Sequence, residues 1–217
     1  MTSTIQQERF DKVHQITGDL SRKVDELPLV LAAVSFDITF ASQHINEKAA
    51  EDDSEDQFWR RTLVRALFAA VEAVSYSLKR FALAASEVPG VNFSAADLAA
   101  LREEAYDLEE SGKPKTSKAK LRTLPNLLYA FQAFTRAQFI EYNLDTKGQD
   151  WEAMRATIKI RDRLTHPKGS GSLIVTNKDL DLVIQAAHWF PAAFSDMITK
   201  CSIAEDTKRL LAWVHEK

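Results

Sequence analysis

The sequence predicts an all-α fold, a single-domain bundle of about six or seven helices spanning 1–217. Three observations predict it. Long stretches repeat apolar residues with the 3.6-residue period of a helix, and no stretch alternates apolar with polar residues well enough to compete as a strand. Six Gly and six Pro in 217 residues also leave few turns for a many-stranded sheet.

The elements follow in order. A first helix, over about 4–24, is polar with sparse apolar positions at Phe10, Val13 and Ile16, which places it outside the bundle or against a partner. Pro28, whose fixed φ suits a first helical turn, opens a second helix that reaches about Lys48 and completes the N-terminal helices of 1–50. The acidic run Glu51–Asp56 reads as a helix start, because Ser54 with Gln57 makes a capping box and first-turn acids suit the helix dipole. That longest helix, about 55–86, projects Leu63, Leu67, Ala70, Val71, Val74, Leu78 and Phe81 on one face as the central core element. On its flank Arg61, Arg65, Glu72, Tyr76 and Lys79 form a polar stripe expected to face a cleft.

Pro89-Gly90 breaks the chain, and Ser94 caps a shorter helix to about Glu110. The next helix, about 124–143, places Leu127, Leu128, Phe131, Phe134 and Phe139 in the core. Asp150 is the expected cap of a helix from Trp151 to Thr165, and Gly169-Ser170-Gly171-Ser172 makes a flexible connection. Thr176 with Asp179 then signals a helix presenting Leu180, Val183, Ala187, Phe190 and Phe194, kinked at Pro191. A last short helix occupies 203–216.

A formal net charge of −3 gives no global attraction to nucleic acid or anionic lipid, so any such contact must be local. The densest positive segment is 113–122, where Lys113, Lys115, Lys118, Lys120 and Arg122 stand without an acid. It reads as a solvated loop with no interleaved aromatic for base stacking, or as a set of phosphate contacts. Cys201 stands alone, which excludes an internal disulfide framework and a cysteine-based zinc site. The start carries no charged-then-apolar signal pattern, and no apolar run approaches the roughly 18 residues of a membrane span, so the expected location is the cytoplasm with no membrane contact.

The segment richest in chemistry is Ile158-Lys159-Ile160-Arg161-Asp162-Arg163-Leu164-Thr165-His166-Pro167. Arginine grips phosphate in a fork geometry, and histidine can move a proton near neutral pH. On an ideal helix Trp151, Met154 and Ile158 form an apolar stripe that Arg161 continues, so Arg161 points inward and Glu72 is its expected partner. Arg163 falls on the opposite, solvated side with Glu152 and Lys159. Pro167 biases the residue before it out of the helix, so His166 ends the element and its imidazole is expected to swing toward Arg161. The same residues also fit a plain helix terminus, with Arg161 in a buried salt bridge and His166 bonding the last carbonyls.

Arg161-Asp162-Arg163-Leu164-Thr165-His166 resembles the Arg-x4-6-His motif of the HEPN superfamily, in which a polar residue such as Asp162 often follows the arginine. The long helix containing Arg61-Thr62-Leu63-Val64-Arg65-Ala66-Leu67-Phe68-Ala69-Ala70-Val71-Glu72, and Leu173-Ile174-Val175-Thr176 before a final long helix, are similar to HEPN layouts, extending the looser resemblance over 55–198. The resemblance implies a helical homodimer with the motifs at a shared cleft, and a metal-independent endoribonuclease of the toxin-antitoxin or phage-defence kind. His166 would then be general base or acid on the RNA 2′-hydroxyl, Arg161 would stabilise the charge on the phosphate, and Asp162 would orient the pair. Arg65 and Glu72 are the supporting residues, and Lys168 with the 113–122 cations is the expected source of phosphate attraction. RNA and a regulatory protein, such as an antitoxin-type nucleotidyltransferase, are the implied partners; no cofactor and no metal are implied. The alternative is a non-catalytic HEPN-like dimer that binds a nucleotide, nucleic acid or protein.

Elsewhere, His14, His44, His188 and His215 are scattered without metal-pair spacing. Nucleophile-elbow, phosphate-loop and dinucleotide motifs do not occur. Trp189-Phe190 beside Pro191 reads as core packing before an aromatic ligand pocket.

Overall fold

The computed structural model describes residues 28–46, 50, 53–88 and 90–215, with side chains through Ser202. The helix expected over 4–24 lies outside the described residues. The described chain is mostly helical: α1 covers 28–43, α2 Ser54–Ala85, α3 Ala95–Arg102, α4 Thr123–Ala137, α5 Gln149–Thr165 and α6 Asn177–His215, with a 3-10 turn at Ser170–Leu173 before α6. None of these helices is long and apolar enough to cross a membrane.

One element departs from the all-α expectation. The helix predicted to reach Glu110 stops at Arg102, and an antiparallel hairpin of β1 (Glu104–Leu108) and β2 (Pro114–Lys118) follows. α3 begins as predicted, with Ser94 and Asp97 in a reciprocal capping box. It ends because Glu103 takes the left-handed conformation at φ 57°, its N–H bonding back to Ala99 and Ala100. Gly112, at φ 76°, then supplies the reversal between the strands, its N–H donating to the Glu109 carbonyl. The basic stretch read as a loop is thus largely a strand and its flanks.

The chain divides into two compact units, built on residues 74–142 and on 30–73 with 143–215. The first takes the C-terminal part of α2, α3, the hairpin and α4. Its apolar centre includes Leu78, Phe81, Leu101, Leu127 and Phe131, and the Phe81 and Phe134 rings lie 4.8 Å apart. Inside it Lys79, 1% exposed, donates to Glu103 at 2.6 Å and to Asn126 at 2.8 Å. This corrects its expected place on a cleft-facing stripe. A lysine so buried is tolerated only with its charge paired and hydrogen-bonded. Phe139, expected in the core, lies past the end of α4 at φ 57° and is exposed; its ring would contact a Cβ placed on Gly90.

In the second unit α5 packs on α6: Trp151 meets Trp189 edge-on at 5.6 Å, and Gln185 donates to Asp150. Asp150 is therefore not the cap of α5. Gly148 holds that position, and Asp150 sits in the first turn. Thr176 and Asp179 do cap α6 reciprocally, and Leu180, Val183, Ala187, Phe190 and Phe194 are buried as predicted. The α6 backbone is continuous through Pro191 to His215, so the described part of the expected last helix, 203–215, belongs to it. At the start of α2 the cap is Asp53 rather than Ser54: the Asp53 carboxylate accepts from the N–H groups of Glu55 and Asp56. Gln57 is thereby released from the expected capping box for a different task.

Candidate functional site at the end of α5

The buried face of α5 carries Trp151, Met154, Thr157, Ile160 and Leu164, and the helical azimuth of Arg161 falls between those of Thr157 and Met154. Arg161 accordingly turns inward, with its side chain 25% exposed. Its guanidinium carbon lies 5.0 Å from the centroid of the Phe68 ring on α2, a cation–π arrangement, and Nη1 pairs with Asp162 at 3.3 Å. Arg65 and Glu72 flank Phe68 by one helical turn on either side, and both are exposed. Glu72 is exposed and thus not the buried partner that the sequence suggests; among the described residues the neighbouring Asp162 supplies a carboxylate to Arg161.

α5 ends at His166, as Pro167 predicts. The His166 N–H still donates to the Asp162 carbonyl at 2.9 Å, so its Cα keeps a helical position before the chain turns away. That position is about 140° around the axis from Arg161, which directs the imidazole into solvent. Among the described residues no side-chain hydrogen bond of His166 occurs, and none joins it to Arg161. The structure therefore brings the two residues to one helix end with no hydrogen bond between their side chains. Lys168 follows in the exposed loop, its N–H donating to Ser172.

Arg163 departs most from expectation. Instead of being solvated, its side chain is 34% exposed and bends back to donate to the Ile174 carbonyl and to Asp179, each at 2.9 Å. Burial raises the Asp179 pKa, but hydrogen bonds from Arg163 and Thr176 outweigh it and hold the carboxyl below its ordinary value. Arg163 is a clasp between α5 and the start of α6.

The sequence reading missed the anchor opposite that clasp. Gln57 reads both backbone groups of Val175: its amide donates to the carbonyl at 2.9 Å and accepts from the N–H at 2.8 Å. Fully buried Arg60 donates to the same carbonyl and pairs with buried Asp56, while Arg61 donates to the Leu173 carbonyl. The loop after His166 is thus open over 166–172 and tied down over 173–176. Helical phase does contain the signal: Arg60 lies one turn before Leu63 and Val64 and two turns before Leu67, on the core face of α2.

The five cations of 113–122 belong to the other unit and are all exposed. Strand pairing sets Lys118 opposite Glu104 and Lys115 opposite Asp107, so two of the five positive charges are locally opposed. The same pairing brings in the aromatic that the basic stretch lacks, exposed Tyr106 opposite Thr116. Among the described residues no group of three or more His, Cys, Asp or Glu side chains is placed to hold a metal ion. Comparison of the chain with family models, with curated proteins and with solved structures gives no significant match.

Proposed function

We propose that this chain is a HEPN-like, metal-independent endoribonuclease in which Arg161 and His166 act on the RNA 2′-hydroxyl and its adjacent phosphate. The observation that carries the reading is a half-buried guanidinium and an exposed, uncommitted imidazole at one helix end. His166 takes the proton of the 2′-hydroxyl as that oxygen bonds to phosphorus. The bond from phosphorus to the 5′-oxygen breaks, and that oxygen leaves with a proton from solvent or from the imidazolium of a second copy. Arg161 stabilises the charge that builds on the phosphoryl oxygens, and Asp162 fixes its orientation. The products are a 2′,3′-cyclic phosphate and a 5′-hydroxyl. A homodimer, a toxin or phage-defence role and restraint by a regulatory protein belong to the same reading.

Incubation of the purified protein with single-stranded RNA oligomers covering every dinucleotide step, in EDTA, tests it. Cleavage with cyclic phosphate ends is expected from the wild type and not from His166→Ala; uncut RNA with the wild type contradicts the reading. One observation favours the non-catalytic alternative, a dimer that binds a nucleotide, nucleic acid or protein: Phe68 and Asp162 already engage Arg161. That alternative requires intact RNA together with a marked loss of stability in Arg161→Ala.

A further inference from the structure

A cavity of about 360 Å³ lies within the second unit, between α1 on one side and α2 with α6 on the other. It is within the size range of small-molecule sites. Its lining is mainly aliphatic with a polar minority. Leu63 and Ala187 are buried, Ser35, Ile38 and Ile184 are half-buried, and Thr39 and His188 are exposed. No Asp, Glu, Lys or Arg side chain lines it. A phosphate or carboxylate would lose water there without gaining a counter-charge, whereas an uncharged, mainly apolar molecule would bury its body against the aliphatic side chains.

α6 supplies a polar feature at the same place. Proline has no N–H, so Pro191 cannot donate to the carbonyl of Ala187, one turn earlier in the helix. The two residues flanking this missing bond both line the cavity. A ligand carrying a hydrogen-bond donor can provide what Pro191 lacks, and the hydroxyl of Thr39 and imidazole of His188 are further polar partners. A helix carbonyl that lacks its usual donor and gains one from a ligand makes a preference for ligands with an N–H or O–H over those without.

We propose that this cavity binds a small, uncharged, mostly apolar molecule through a hydrogen bond to the Ala187 carbonyl. The site is independent of Arg161 and His166. Titration of the intact protein with indole and with 1-methylindole, followed by NMR shifts of α1 and α6 amides, tests it. Indole is expected to bind saturably and at least several-fold more tightly than 1-methylindole, which has the same ring but no donor. Pro191→Ala restores the missing N–H to the helix and is expected to bring the two affinities together. Thr39→Trp, a substitution at an exposed lining position, is expected to abolish both. Equal binding of the two probes by the wild type, no saturable indole binding, or indole binding unchanged by Thr39→Trp would overturn the proposal; the wild-type comparison stands even if either variant fails to fold.

Discussion

Arg161, Arg163 and His166 share one short segment yet meet three different environments. Arg163 holds Ile174 and Asp179, so Arg163→Ala should lower stability by about 1–2 kcal/mol after allowance for its partial exposure, read as a lower thermal midpoint. Because the Asp179 carboxyl is held below its ordinary 3.8 in the fold, its contribution is present above that value and is lost as pH falls through the lower folded value. Acid titration of stability in the wild type should therefore show a decline in that range that is smaller in Arg163→Ala. His166→Ala, by contrast, removes an exposed ring and should leave the thermal midpoint nearly unchanged. Glu103 offers a second test. Its left-handed backbone would favour glycine, but its carboxylate holds buried Lys79, and hydrogen bonding to that lysine lowers the Glu103 pKa. Glu103→Gly should therefore destabilise the protein by about 3 kcal/mol in denaturant melts despite relieving the backbone, because an unpaired buried ammonium costs more than the strain. A stabilised Glu103→Gly variant would contradict this assignment.

At the scale of elements, periodicity and caps made most helices legible. Thr176 with Asp179 and Ser94 with Asp97 mark helix starts through local bonds that the sequence itself contains. Pro167 likewise marks the end of α5. The hairpin was hidden because β1 carries little apolar alternation, with Glu104, Tyr106 and Leu108 on one side and only Ala105 and Asp107 on the other. Side-chain destinations were harder still. Nothing in the spacing of Arg163 reveals that its long side chain reaches back to Asp179, and Gln57 looks like half of a capping box until Asp53 is seen to cap the helix. The Gln57 bracket predicts that Gln57→Ala destabilises the protein by about 2–4 kcal/mol, since both buried backbone groups of Val175 lose a partner. A chemical denaturation midpoint unchanged by this substitution would remove the anchor from the account. The charge pairing in the hairpin has its own consequence: converting Lys115 and Lys118 to Gln should change the salt dependence of any RNA binding by less than two full phosphate contacts.

For the molecule as a whole, α2 contributes to both compact units and so carries two kinds of buried polar contact along one helix, Arg60 and Gln57 toward Val175 and Lys79 toward Glu103. The proposed ribonuclease reading adds the expectation of a homodimer, so sedimentation equilibrium should give twice the 24.5 kDa of one chain. A monomer at assay concentration would remove the shared cleft that this reading requires. Catalysis by His166 is tested by cleavage of the RNA oligomer set in EDTA by the wild type and by His166→Ala, with the ends identified by mass. The wild type is expected to give 2′,3′-cyclic phosphate and 5′-hydroxyl products and an equally stable His166→Ala to leave the RNA intact; intact RNA with both proteins, or equal cleavage by both, would rule out catalysis by His166.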